Sequence, residues 1–121
     1  FARLSGGQDD STSTTGRETD GITGTSALPT RTSLYQNSPN PFNPTTMIRF
    51  DLAQPGPVRL RIFDVSGRLV RTLVNEEQAP GIRTVVWDGT TDDGLAAASG
   101  VYMYRIQAGD DVAQKRMVLL K

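Results

Sequence analysis

The chain has 121 residues with 13 basic and 13 acidic side chains, so its length is that of one domain and its net charge is zero. It contains no Cys and no His, which excludes thiolate zinc sites, disulfides, Cys nucleophiles and His-based acid–base catalysis. The balanced charge also argues against nucleic acid as a partner, because no basic field is available to attract it.

Residues 1–33 are dominated by small polar side chains, with five Ser, eight Thr and five Gly. Such a segment cannot bury enough apolar surface to offset its conformational entropy. We therefore expect a disordered linker to an upstream cargo domain, or alternatively an arm that becomes ordered on a partner. Phe1 is interpreted as the start of a processed fragment.

Short apolar runs separated by Gly, Pro, Asn and Asp begin at Leu34, and this texture predicts strands and tight turns. Residues 47–52 and 58–63 alternate apolar and charged side chains, as half-buried strands do. A turn at Asp64-Val65-Ser66-Gly67 is expected to join the second of these to a third strand over 68–74, because Asp accepts backbone hydrogen bonds and Gly adopts a positive φ.

Three further strands are predicted over residues 82–87, 101–107 and 112–120, and the segment 34–44 is expected to add a short edge strand. Trp87 is expected to be the largest core residue. A run of strands without helices predicts an all-β domain over 34–121, built as an antiparallel sandwich or barrel.

A set of local motifs resembles a known family. The motifs are Tyr35-Gln36-Asn37-Ser38-Pro39-Asn40-Pro41-Phe42-Asn43-Pro44, the following strand, the 62–70 hairpin, Trp87-Asp88-Gly89, Gly100-Val101-Tyr102 and a closing strand that ends in Lys. Together they resemble the immunoglobulin-like carboxy-terminal sorting domain of proteins exported by the bacterial type IX secretion system, and the related immunoglobulin-like domain of the flagellar hook-capping protein. The resemblance covers 34–121 and none of 1–33.

This resemblance implies a small immunoglobulin-like β-sandwich of about seven strands, without catalysis or cofactor, on a secreted or outer-membrane-surface protein. The partners it implies are the outer-membrane secretion machinery and the upstream cargo, with surface lipopolysaccharide and self-association as further candidates. Carried over to this chain, the recognition residues are Pro39, Asn40, Pro41, Phe42, Gly100, Tyr102, Lys115 and Lys121. In the same group of bacteria, Asp10-Ser11-Thr12 resembles an O-glycosylation acceptor, at Ser11.

Simpler structural roles are available for the same residues. Lys115 and Lys121 are the two Lys of the chain, and Lys on a last strand blunts an exposed sheet edge. The prolines before the first long strand cannot donate to a ladder, so they form a rigid approach to it. Gly100 permits a tight backbone turn, and Tyr102 is expected in the core with its hydroxyl near the rim.

The acidic loop 88–94 raises the question of a metal site. Asp88, Asp92 and Asp93 could offer oxygen ligands to Ca²⁺, although the loop lacks the spacing of an EF-hand. Asp-Gly pairs are also ordinary turn chemistry, and we therefore predict no metal site.

Seven Arg residues lie mostly on outward strand positions. Cross-strand pairing with acidic residues on a solvated face would explain them, and a patch that binds an anionic sugar is the functional alternative. They are Arg49, Arg59, Arg61, Arg68, Arg71, Arg83 and Arg105.

The sequence leads to a non-enzymatic module for secretion and surface attachment. The alternative is a structural subunit of a cell-surface assembly or filament, whose amino-terminal arm adds as a strand to a neighbouring copy.

Overall fold

A computed structural model describes residues 28–121 of the chain. These residues form seven strands: β1 (Ser33–Leu34), β2 (Thr46–Leu52), β3 (Gly56–Asp64), β4 (Leu69–Gln78), β5 (Gly81–Trp87), β6 (Gly100–Ala108) and β7 (Asp111–Leu119). No helix within 28–121 has the length and apolar character needed to cross a membrane. Residues 1–27 of the predicted flexible arm, which include Ser11, lie outside the described residues.

The strands form two sheets that face each other across one core. A three-stranded sheet has the order β1-β2-β5, and a four-stranded sheet has the order β4-β3-β6-β7. Every pairing between these strands is antiparallel. The all-β immunoglobulin-like sandwich expected from the sequence is confirmed, with the predicted number of strands.

Alternation along each strand sends one set of side chains into the core. Val58, Leu60 and Ile62 of β3 are fully buried, and their cross-strand partners in β6 are Ala108, Ile106 and Tyr104. Because side chains on paired residues point to the same face, the two central strands build one continuous apolar layer. Trp87 is fully buried between the sheets, as predicted.

The β3–β4 turn forms as its residues predict. The Asp64 carboxylate accepts hydrogen bonds from the backbone N–H groups of Ser66 at 2.9 Å and Arg68 at 3.1 Å, and Gly67 has a φ of 88°. These bonds hold the pKa of Asp64 below its ordinary value, with the Ser66 hydroxyl making the largest contribution.

Asp51 departs from the expected pattern. The alternation of β2 predicts an outward, solvated carboxylate, but the side chain is covered and the residue is only 8% exposed. Tyr35 donates its hydroxyl hydrogen to Asp51 at 2.5 Å, and the Arg49 guanidinium lies 3.2 Å from the same carboxylate. The residue does face outward, but these two neighbours shield it from water.

Candidate recognition surface

The proline-rich segment 36–42 runs beside β7, the edge strand of the four-stranded sheet. The Phe42 amide donates to the Val118 carbonyl at 3.0 Å, and the Leu120 amide donates to the Phe42 carbonyl at 2.9 Å. Phe42 thereby forms a parallel bridge with Leu119. The segment therefore pairs with an edge strand that we had expected, from its Lys residues, to be exposed to solvent.

Side-chain groups complete this pairing where proline cannot take part. The Asn40 side-chain oxygen accepts the Val118 amide at 3.0 Å, and the Gln36 side chain donates to the Arg116 carbonyl at 2.7 Å. The peptide bonds preceding Pro39 and Pro41 are cis. Because proline has no N–H to donate, the neighbouring polar side chains make contacts that a regular strand would make through its backbone.

A buried polar cluster anchors the start of the segment to the sandwich. Asn37 is 3% exposed, its amide donates to the Tyr104 hydroxyl at 2.9 Å, and its side chain donates to Thr46 at 3.0 Å. The Tyr104 hydroxyl in turn donates to the Tyr35 carbonyl at 2.7 Å. Burial raises the pKa of Tyr104 above its ordinary value of 10.0, so the hydroxyl keeps its proton and its donor role.

An aromatic cluster anchors the end of the segment. The Phe42 ring lies 5.6 Å from that of Trp87, and the Trp87 ring lies 5.5 Å from that of Tyr102 in an edge-to-face arrangement. Trp87 donates its indole N–H to the Thr90 carbonyl at 2.9 Å, and the Tyr102 hydroxyl donates to the Ala98 carbonyl at 2.6 Å. Burial, with a smaller contribution from Asp64, raises the pKa of Tyr102.

The residues carried over from the family range from buried to exposed. Phe42 and Tyr102 are buried and stabilise the surface from beneath, and Tyr102 has its hydroxyl bonded at the rim as expected. Gly100 begins β6 opposite Leu119. Pro39, Asn40, Pro41 and Lys121 are exposed, and Lys115 is half-buried.

The four exposed residues lie beside the carboxy-terminal part of β7. Asn40 is bonded to Val118, and Lys121 follows the Leu120 amide that is bonded to Phe42. The Lys121 amide also donates to the Ser99 hydroxyl at 3.1 Å. We call Pro39, Asn40, Pro41 and Lys121 the recognition rim.

Asp88 and Asp92 of the acidic loop accept hydrogen bonds that hold the local backbone. Asp88 accepts the backbone N–H and the hydroxyl of Thr90, at 3.1 and 2.6 Å, and these bonds lower its pKa. Asp92 accepts the Thr72 amide at 3.0 Å and lies 3.8 Å from Arg71. Within 28–121, no three His, Cys, Asp or Glu residues come together as a metal site, and the turn interpretation accounts for the hydrogen bonds of Asp88 and Asp92.

Two important residues of this surface were not singled out from the sequence. Asn37 and Thr46 bond to each other, and both side chains donate to the Pro39 carbonyl, at 3.1 and 2.9 Å. An amide side chain in a proline-rich segment is a signal that could have been used, since it supplies both donors and an acceptor.

Comparison with known proteins identifies the family. The model of the FlgD Ig-like domain family matches residues 37–111. The basal-body rod modification protein FlgD of Salmonella typhimurium is 38% identical over 71 residues, which are 58% of this chain and 31% of that protein. The chain therefore spans about a third of the length of this relative.

Two solved structures share the fold. Dimeric latent PorU from Porphyromonas gingivalis gives a TM-score of 0.60 at 21% identity, over 87% of this chain and 10% of that chain. PorZ, described as an essential bacterial surface component of the type IX secretion system of the same organism, gives a TM-score of 0.52 at 23% identity, over 73% of this chain and 11% of that chain. Since the family model covers more than half of the residues and the strands form the expected sandwich, this chain belongs to the FlgD Ig-like domain family.

Proposed function

We propose that this chain is the non-catalytic carboxy-terminal secretion-signal and cell-surface attachment module of a larger secreted bacterial protein, and that the recognition rim is the part that is read. The observation that carries the proposal is the pairing of segment 36–42 with β7. It holds the exposed Pro39, Asn40 and Pro41 beside the carboxy-terminal part of β7, which Lys121 follows.

The rim is suited to recognition because it is rigid and exposed. Its backbone is bonded to β7 through Phe42 and Leu120, and the buried Phe42 ring fixes it from below. A preorganised surface loses little conformational entropy when a partner binds. The occurrence of the same fold in PorZ supports the outer-membrane secretion machinery as that partner.

The proposal is tested by export of a reporter. The full 121-residue chain is fused to the carboxy end of a periplasmic reporter in a bacterium that has type IX secretion, and the reporter is measured in periplasm, on the cell surface and in the medium. The rim variant is Asn40→Ala combined with Lys121→Ala, because both side chains are exposed. The control is Ile82→Thr with Val86→Thr, on the outer face of the other sheet.

We expect export of the reporter by the parent chain and by the control variant, and its retention in the periplasm with the rim variant. Circular dichroism and thermal melting establish that both variants are folded. Export of the rim variant at the parent level would show that the rim is not read, and failure of the parent chain to export would reject the secretion-signal function itself.

A second candidate function is a structural subunit of a cell-surface assembly. Ile82 and Val86 of β5 and Met47 of β2 are 60%, 55% and 49% exposed, and they share the outer face of the three-stranded sheet. Among the described residues β5 has a strand partner on one side only, and such an edge can accept a strand from another chain. The similarity to a basal-body rod modification protein favours this function.

Self-association separates the two candidates. Sedimentation velocity of the full chain over a wide concentration range is expected to give a monomer if the chain is a secretion signal. Concentration-dependent assembly that Ile82→Thr with Val86→Thr abolishes would instead support the structural subunit.

A further inference from the structure

The outer face of the four-stranded sheet carries an unusual set of basic side chains. Arg59 and Arg61 of β3 point to this face, since Val58, Leu60 and Ile62 between and beside them are buried. Arg61 lies directly opposite Arg105 of β6, and Arg105 in turn lies opposite Gln114 of β7. Arg116 is two residues further along β7 and therefore faces the same side as Gln114. Four guanidinium groups thus share one sheet face.

Within the described residues, these groups have no acidic partners of the kind that the sequence led us to expect. None of the four guanidiniums lies within salt-bridge distance of a carboxylate in residues 28–121, where the ion pairs involve Arg49, Arg68 and Arg71 instead. On this face the acidic residue is Glu77, at the far end of the sheet opposite Pro57. The expected cross-strand charge pairing is therefore wrong for this face.

The Arg61–Arg105 pair is unfavourable as it stands. Like charges directly opposite each other across two strands destabilise a sheet. The Nε of Arg61 is buried and has no hydrogen-bond partner in the described part of the chain. Desolvation together with the charges of Arg59 and Arg105 lowers the pKa of Arg61. An oxyanion placed between the two guanidiniums would relieve this repulsion and accept several charge-assisted hydrogen bonds.

The neighbours of this pair indicate what kind of anion fits. The Arg61 and Arg105 guanidinium carbons lie 5.4 and 4.9 Å from the centre of the half-buried Phe63 ring. Gln107 accepts from Arg59 at 3.0 Å, and Gln114 accepts from Arg105 at 3.2 Å. Amides can both donate to and accept from hydroxyl groups, and the Phe63 ring holds both guanidiniums through cation–π contacts.

We propose that this face, defined by Arg59, Arg61, Phe63, Arg105, Gln114 and Arg116 and called the arginine face, binds an acidic polysaccharide. The carboxylates of the sugar chain lie between the Arg61 and Arg105 guanidiniums, which the Phe63 ring positions from beside them. The combination of guanidinium and amide side chains on an open sheet favours an acidic sugar over nucleic acid. Single strands are bound by series of aromatic rings on which successive bases stack, whereas the ring described on this face is Phe63, and two guanidiniums already contact it.

The experiment measures binding of oligogalacturonate, in which every sugar carries a carboxylate, to the full chain by calorimetry and by amide chemical shifts. The test variant is Arg61→Gln with Arg105→Gln. The matched control is Arg68→Gln with Arg83→Gln, which removes the same two charges away from the arginine face. A neutral glucan of equal length and a single-stranded oligonucleotide are the comparison ligands.

We expect oligogalacturonate to shift the amides of β3, β6 and β7, and the test variant to bind at least about tenfold more weakly, as loss of charge-assisted hydrogen bonds requires. The control variant should bind within about twofold of the parent, because Arg68 and Arg83 lie away from the arginine face and act on the ligand only through screened long-range charge. Phe63→Ala removes the ring that positions both guanidiniums, so it should weaken binding of oligogalacturonate, but less than the test variant does because both charges remain.

Three results would overturn the proposal. They are absence of binding by the folded parent, equal weakening in the test and control variants, and tighter binding of the oligonucleotide than of oligogalacturonate. Melting temperatures establish that the test and control variants are folded.

Discussion

The packing of Phe42 against Trp87 makes a quantitative prediction about how segment 36–42 is held on β7. Phe42 is 2% exposed, so Phe42→Ala removes a fully buried ring and leaves a cavity beside Trp87. Such substitutions cost about 3 to 5 kcal/mol. A small domain is stable by about 5 to 15 kcal/mol in all, so the variant stays folded only with a reduced margin.

The stability loss is measured by urea denaturation. With a slope of about 2 kcal/mol per molar urea, the middle of the range for small proteins, the midpoint should fall by roughly 1.5 to 2.5 M. Leu95→Ala is the control, because that side chain is 66% exposed and surface substitutions usually change stability by about 0.5 kcal/mol or less. Phe42→Leu, which keeps most of the volume, provides a folded variant with a loss of roughly 1.5 kcal/mol or less.

Hydrogen exchange then tests the anchoring itself. The Leu120 amide is bonded to the Phe42 carbonyl, so loss of the ring should release the segment and speed exchange at Leu120. Amides between β3 and β6 should change only as far as global stability changes. The reasoning is refuted if Phe42→Leu lowers stability while Leu120 remains protected relative to the central strands, because the ring would then contribute to the core without holding the segment.

Three further predictions concern single contacts. Asn37→Ala should destabilise the domain by about 1 to 3 kcal/mol, since it leaves buried partners unpaired, and Asn37→Asp, which cannot donate from its side chain, should not restore the parent midpoint in urea. Gly89 has a φ of 80°, and a Cβ there would lie 2.8 Å from the backbone carbonyl oxygen of Pro44, so Gly89→Ala should cost more than the roughly 1 to 2 kcal/mol of a left-handed residue alone. A loss of about 1 kcal/mol lowers the melting temperature of a domain of this size by roughly 4 to 8 °C. A melting temperature within about 2 °C of the parent value would therefore contradict the close approach. The pKa of Tyr104 is raised above 10.0, so its contribution to the free energy of unfolding is complete below pH 10 and is lost as pH rises through the folded pKa. The pKa values of Asp64 and Asp88 are lowered from 3.8, so their contribution is present above pH 3.8 and is lost as pH falls through the folded pKa. Urea denaturation between pH 2 and pH 11 should show both declines in stability, with the alkaline decline reduced in Tyr104→Phe and the acid decline reduced in Asp64→Asn.

Local chemistry was enough to predict most of the sandwich. Alternation in β3 and β6 identified their buried faces, because the side-chain period of a strand depends on the backbone alone. The turn at Asp64 was predicted for the same reason, since its hydrogen bonds close within four residues. Trp87 could be assigned to the core because no small domain can leave its largest apolar group in water without cost.

Only the tertiary structure decided which distant segments meet. The bonds from Gln36 and Asn40 to β7 span 80 and 78 residues, and no periodicity encodes such a pairing. The juxtaposition of Arg61 and Arg105 likewise depends on strand order, which places these two basic positions opposite each other. The sequence by itself determined the strands, their buried faces and the family, whereas the closed β7 edge and the arginine face arise from contacts between residues far apart in the chain.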